Sequence, residues 1–251
     1  MPHSTTTHFR TGTGIHVPAV TADQMREVDR IAVEENGPSL LQMMENAGRS
    51  LAALAMHLLG DHWRRSRIVV LAGSGGNGGG GICAARHLAN RSVDVAVCLA
   101  EPERLTAASS FQRRIFRTTA GREFNDLRHL TQSPDLILDG LIGYGLKGAP
   151  TGKTADLIEW ANETGVPILA LDVPSGINAT DGNAPSIFVK PKWTLTLALP
   201  KTGLSKENSG ELFLADLGIP ESVYRQVGLS YSCPFGNSFC LPLEVVDDHS
   251  T

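Results

Sequence analysis

Ile68-Val69-Val70-Leu71 is an unbroken aliphatic run, the pattern of a strand buried on both faces of a parallel sheet. Val93 to Ala100, Asp135 to Asp139, Val166 to Asp172, Trp193 to Pro200 and Glu211 to Asp216 read the same way, and Glu123-Phe124 marks a short strand. Between them, Ile82 to Asn90, Leu105 to Thr118 and Thr154 to Glu163 carry helical patterns. Two more helices precede the first of these strands. Thr21-Ala22-Asp23-Gln24 forms a capping box ahead of Met25, Val28, Ile31 and Ala32, and Asn36-Gly37-Pro38 stops that helix. Ser39 caps the second, whose apolar face takes in Leu40, Leu41, Met43, Met44, Ala47, Leu51, Leu54, Ala55 and Leu58. Strands alternating with helices predict an α/β fold, a mostly parallel sheet with helices on both faces. No shift of composition divides the chain, so one domain is expected. Residues 1–17, polar and rich in Thr and His, are expected to form a disordered tail, and residues 231–251 a loosely packed one. The domain itself is placed at residues 18–230.

Composition narrows the partners. The net charge is −4, from 22 Lys+Arg against 26 Asp+Glu, which leaves no basic footprint for nucleic acid or an anionic membrane. No apolar run approaches the roughly 20 residues that span a bilayer, and the first residues lack the apolar core of a signal peptide. A cytoplasmic protein with no membrane partner is expected. Cys83, Cys98, Cys233 and Cys240 show no metal-ligand spacing. The first two lie in apolar runs and read as core thiols. For Cys233 and Cys240, pairing stays open.

The first strand runs into Gly73-Ser74-Gly75-Gly76-Asn77-Gly78-Gly79-Gly80-Gly81, far more glycine than a tight turn needs. Backbone N–H groups in such a stretch, ahead of a helix, can cradle an anion. Ligands of open parallel sheets bind outside the carboxyl ends of the strands, and two further loops share that address. One offers Asp139 and the turn Gly143-Tyr144-Gly145-Leu146-Lys147-Gly148; the other offers Asp172 and Ser175. Gly73-x-Gly75-x-x-Gly78 satisfies the dinucleotide fingerprint, with Glu101 after the second strand as a ribose carboxylate. A nicotinamide dehydrogenase is therefore one reading, although no residue presents itself at a hydride acceptor.

Taken together and in order, MMENAG, GSGGNGGGGICAARHL, DGLIGYGLKG, DVPSGINATDG, TLTLALPKTGL and ELFLADLGIP closely resemble the NAD(P)H-hydrate epimerase family, the YjeF N-terminal domain. The resemblance covers Thr21 to Gly228. It implies a Rossmann-like three-layer αβα sandwich, often a homodimer. The implied reaction interconverts the R and S forms of hydrated NADH or NADPH, which carry a hydroxyl on C6 of the nicotinamide ring. A separate NAD(P)H-hydrate dehydratase then consumes the product. Carried across by position, Gly76, Asn77, Gly78, Gly79 and Gly80 contact the substrate. Gly143, Tyr144, Gly145, Leu146, Lys147, Gly148 and Ala149 hold its phosphate-bearing part. Asp172 contacts the reacting centre and is the expected catalytic group. Asn77, Asp139 and Ser175 are implied ligands of a potassium ion.

Two positions depart from the family, whose first loop usually reads Asn-Asn-Gly-Gly-Asp-Gly; Gly76 and Gly80 stand where that Asn and Asp would be. A related domain serves as a non-catalytic module of an mRNA-decapping scaffold, so a nucleotide-binding or scaffold role is the alternative. Lys201 reads either as a charge lining the site or as a strand-end lysine reaching solvent, and is left outside the site. His87 reads as a packing or surface histidine of the helix after the glycines.

Overall fold

The computed structural model describes residues 8–130 and 132–246. The chain opens with two short strands, β1 (His8–Thr11) and β2 (His16–Val17), before α1 (Ala22–Ile31) and α2 (Leu40–Leu58). Both helices start as their capping boxes predict. The Thr21 side chain accepts from Gln24 N–H, the Gln24 side chain accepts from Thr21 N–H, and Ser39 and Gln42 repeat the exchange. A π-turn, Ala32–Asn36, extends α1 to Gly37. On α2 the buried face is Met43, Met44, Ala47, Leu51, Leu54 and Ala55, whereas Leu40 and Leu41 are exposed, a correction to the wider face read from the sequence.

The parallel core follows: β3 (Arg67–Ala72), α3 (Gly76–Ala89), β4 (Asp94–Leu99), α4 (Ala107–Phe116), β5 (Arg122–Phe124), β6 (Leu136–Gly140), α5 (Gly152–Glu163) and β7 (Ile168–Leu171). The chain then runs through β8 (Trp193–Leu197), α6 (Lys206–Ser209), β9 (Glu211–Ala215), α7 (Glu221–Gln226) and β10 (Cys240–Val246). Among the described residues the sheet has ten strands, in the order β2-β1-β10-β9-β8-β7-β6-β3-β4-β5. Pairings from β9 across to β5 are parallel; those among β9, β10, β1 and β2 are antiparallel. From β3 the chain moves outward to β4 and β5, then returns to β6 on the other side of β3. That reversal is the topological switch at which doubly wound folds bind ligands.

Alternation along the apolar strands sorts their side chains between two helix layers. Ile68, Val70, Val97, Leu138 and Leu169 pack with Leu51 of α2 and Ile82 and Leu88 of α3. Val69, Leu71, Cys98, Ile137 and Ile168 pack with Leu157, Ile158 and Ala161 of α5. A third cluster joins Met25, Val28 and Ile31 of α1 to Leu199, Leu212, Val223 and Leu243. This is the expected three-layer α/β sandwich.

The tails need correction. Residues 8–11 and 16–17 are strands, and β10 sits between β1 and β9, with Phe9 opposite Val245. Phe9, Val17, Leu243 and Val245 are buried, so apolar side chains spaced along an otherwise polar stretch anchor both ends of the chain. Residues 1–7 and 247–251, the remainder of the expected tails, lie outside the described residues. Cys83 and Cys98 are buried, and all of the cysteines are free thiols. Among the described residues no helix is long and apolar enough to cross a membrane.

Candidate active site

The glycine-rich stretch is a helix for most of its length. The N-terminus of α3 is Gly76, and its first backbone bond runs from Gly79 N–H to Gly75 O at 3.0 Å. Four glycines inside a helix cost roughly 3–4 kcal/mol of propensity. Burying Ile82 and Leu88 stabilises by a comparable amount, roughly 3–6 kcal/mol, and the missing side chains let α3 approach its neighbours. A Cβ on Gly79 would sit 2.6 Å from the Met44 sulfur, and one on Gly81 would sit 3.1 Å from Val70. Gly79 and Gly80 are buried by this packing, and the Gly79 N–H is already bonded. They lie within the helix, packed against α2 and β7, where an open loop was expected. The first-turn N–H groups, on Gly76, Asn77 and Gly78, precede that first helical bond and are left for other acceptors.

At the end of β6, Asp139 is fully buried. Its Oδ1 accepts from Leu141 N–H (3.1 Å) and the Ser175 hydroxyl (2.6 Å), and its Oδ2 accepts from Ser175 N–H (2.9 Å). Burial outweighs these bonds and pushes the carboxyl up to about 6. Ser175 Oγ also accepts from Ile142 N–H at 2.8 Å. The expected pair is therefore together, one strand to the next.

Asp172 follows β7 in the left-handed region, φ +69°, a conformation that Asp tolerates better than most residues. Its N–H donates to Leu195 O at 2.7 Å, which pins it to β8. Oδ2 accepts from Tyr144 N–H at 3.0 Å, and Oδ1 is paired with the ammonium of Lys201. Lys201 is 1% exposed and also donates to Leu197 O (2.8 Å) and Leu199 O (3.0 Å). Its three ammonium protons are thus all used. The lysine set aside from sequence belongs to the site; it does not reach solvent.

Gly143 runs between Asn77 and Asp172. A Cβ there would lie 3.0 Å from Asp172 Oδ2 and 3.2 Å from Asn77 Oδ1, so the loop after β6 passes between the two side chains only because it is glycine. The Asn77 Nδ2 is buried without a partner among the described residues. Tyr144 is half-buried, its hydroxyl donating to Asp29 Oδ2 of α1 at 2.5 Å. Leu146 is half-buried as well, while Gly145, Lys147, Gly148 and Ala149 are exposed. Asp29 escaped the sequence reading because one acid on the polar side of an amphipathic helix carries no signal of its own.

Two other groups lie apart from this convergence. Glu101 accepts from the Ser74 hydroxyl at 3.1 Å and pairs with Arg104. Ligand atoms of Glu45, Cys83 and His87 lie within 4.8 Å of one another, but Arg86 supplies the cation there, 2.5 Å from Glu45 Oε2 and 3.3 Å from Cys83 Sγ. Burial holds the Cys83 thiol protonated, up to about 12. This cluster ties α2 to α3, as expected of a packing His87.

Residues 40–203 match the family described as YjeF-related protein N-terminus. An NAD(P)H-hydrate epimerase of Dehalogenimonas lykanthroporepellens is 49% identical over 228 residues, 90% of this chain and 93% of that protein. The human Enhancer of mRNA-decapping protein 3 is 30% identical over 97% of this chain, which spans 48% of it. A bifunctional NAD(P)H-hydrate repair enzyme Nnr of Moorella thermoacetica is 36% identical over 81% of this chain and 41% of its own length. In fold, the chain is similar to the crystal structure of yeast ynu0, at TM-score 0.76 and 20% identity, over 90% of this chain and 100% of that one.

Proposed function

The chain belongs to the YjeF-related protein N-terminus family, and on that footing we infer that it is an NAD(P)H-hydrate epimerase, an isomerase acting at C6 of the hydrated nicotinamide ring. The observation that carries this reading is the Asp172–Lys201 pair, a carboxylate held at the switch point by a buried ammonium. Inverting a carbon that bears a hydroxyl and a ring nitrogen can proceed by ring opening. The hydroxyl gives up its proton as C6 becomes an aldehyde, and the C6–N bond breaks with its electron pair going to the ring nitrogen, which takes up a proton. Closure on the other face reverses each transfer. Asp172 takes the hydroxyl proton and returns it on closure. Lys201 donates to one oxygen of the carboxylate, and Tyr144 N–H fixes the other. The exposed turn around Lys147 and the first-turn N–H groups of Gly76, Asn77 and Gly78 meet the pyrophosphate. The same proposal includes hydrated NADH or NADPH as substrate, a separate dehydratase consuming the product, a homodimer and a cytoplasmic location.

A monovalent cation fits the chemistry of this site. Asp139 is a buried carboxylate whose hydrogen-bond donors are all neutral, an arrangement that favours a positive charge nearby. With the Asn77 amide and Ser175 hydroxyl oxygens it offers a hard, all-oxygen donor set. When bound, potassium would supply positive charge that offsets the carboxylate and the substrate's phosphates. Exchanging choline for potassium is expected to raise the melting temperature by about 2–4 °C per kcal/mol of linked binding. Asp139→Asn should abolish that rise. Because the ion binds the ionised carboxylate, the rise should fade as pH falls through about 6. A potassium effect of equal size in Asp139→Asn would remove these ligands from the proposal.

The function itself is tested by chromatography of the purified R-hydrate. Conversion to the S form well above the spontaneous rate is expected. The decapping relatives are 30% to 32% identical over 97% of this chain, which supports the non-catalytic alternative as the competing outcome. Substrate binding without any acceleration would establish that alternative instead.

A further inference from the structure

Nothing in the chemistry above uses α1, yet that helix is fastened to the reactive pair from two directions. The strand-like segment entering it bonds on both sides of Lys201: Val20 N–H donates to Pro200 O at 2.9 Å, and Thr202 N–H donates to Val20 O at 3.0 Å. Farther along, Asp29 accepts from the Tyr144 hydroxyl. The same Tyr144 gives its backbone N–H to Asp172 Oδ2 at 3.0 Å, and its ring centroid lies 5.9 Å from Lys201 Nζ. One tyrosine therefore touches the carboxylate through its backbone, faces the ammonium with its ring and reaches the second carboxylate through its hydroxyl.

Charge links the groups as well as geometry. Burial raises the proton affinity of Asp29, and the Asp172 charge raises it further, while Tyr144 and Lys201 act in the opposite direction. Tyr224 of α7 also faces Asp29, and Arg26 faces Tyr144 from the turn before it. Two carboxylates, one lysine and one tyrosine thus share a partly desolvated volume, where such couplings are strongest.

We propose that Asp29 is a positioning residue of the active site: through Tyr144 it holds the loop after β6 against the Asp172–Lys201 pair. The proposal rests on the epimerase reading given above. It makes the helix ahead of the parallel core part of the reaction machinery, whereas a purely structural Asp29 would only anchor α1.

Steady-state kinetics on the full chain separate the two roles. Asp29→Asn keeps an oxygen for Tyr144 and removes the charge. Its kcat should fall less than that of Asp29→Ala, because the amide oxygen still accepts from the Tyr144 hydroxyl. Tyr144→Phe keeps the ring and removes the tether. Its kcat should fall roughly 10–100-fold with KM nearly unchanged, the pattern of misplaced catalytic geometry. Asp29→Ala should match it, and the double variant Asp29→Ala/Tyr144→Phe should be no worse than the slower single. A lower melting temperature with wild-type kcat in Asp29→Ala would overturn the proposal. So would wild-type kcat in Tyr144→Phe, which decides the matter if the Asp29 variants do not fold. An inactive wild-type protein would instead count against the epimerase reading, since every arm is measured relative to it.

Discussion

Asp172→Asn is expected to slow R-to-S conversion by about 10²–10⁴-fold, the range for removing a general acid–base group. The substitution is chosen for its backbone. Asp172 sits at φ +69°, where Asn is tolerated nearly as well as Asp, whereas Ala would add roughly 1–2 kcal/mol of left-handed strain. The rate loss therefore carries no added backbone strain. Stability should fall as well, for a separate reason. Lys201 is buried, with Asp172 as its carboxylate partner, and removing one member of such a pair costs about 3–5 kcal/mol. Adding Lys201→Met to Asp172→Asn should recover much of the melting temperature, since an ion-free pair carries no uncompensated charge. It should recover none of the rate. A single Asp172→Asn variant that turns over like wild type would sink the mechanism, and recovery of the rate in the double variant would do the same.

The pair at the centre of this prediction shows where a sequence speaks and where it is silent. Runs such as Ile68–Leu71 and Leu136–Leu138 can be buried only between two helix layers, so the parallel core was legible from apolar continuity alone. The caps of α1 and α2 were legible because Thr21/Gln24 and Ser39/Gln42 place both halves of a reciprocal hydrogen bond at fixed spacing. The three strand-end loops followed from the fold, and the structure brings Asn77, Asp139, Asp172 and Ser175 to its switch point. Lys201 was not legible, because lysine is almost never buried unless paired, and its partner lies 29 positions away. Strand β10 was hidden by Pro242, which cannot donate to a ladder and argues against an interior strand. It nevertheless pairs opposite Phe213.

The glycine stretch was misread for the most instructive reason. Local propensity says loop, and tertiary packing says helix, because only a helix without side chains fits that close to β3, β6 and α2. An alanine scan of the stretch turns this into a ranked expectation. At Gly76 a Cβ meets nothing within 4 Å, and the residue is exposed in the first turn of α3, so Gly76→Ala should gain roughly 0.4–1 kcal/mol from a stiffer unfolded chain and better propensity. At Gly80 the nearest atom is the tip of Leu171, 2.9 Å away; that side chain can shift slightly, so the gain in propensity and the crowding should nearly cancel. At Gly78 the Cβ would lie 1.9 Å from the Gly73 carbonyl oxygen and 2.6 Å from its carbon. Those are backbone atoms, and Gly73 is itself bonded to Gly140 O at 3.1 Å, so nothing nearby can yield cheaply. Gly78→Ala should therefore cost at least the roughly 3 kcal/mol at the top of the usual overpacking range, and it should displace the first turn of α3 with its N–H groups. Thermal melts of the three variants should rank Gly76→Ala highest, Gly80→Ala near wild type and Gly78→Ala lowest by several degrees. A flexible substrate loop would give a different order, with Gly76→Ala as damaging as Gly78→Ala, and that result would remove α3 from this stretch together with the packing role assigned to its glycines.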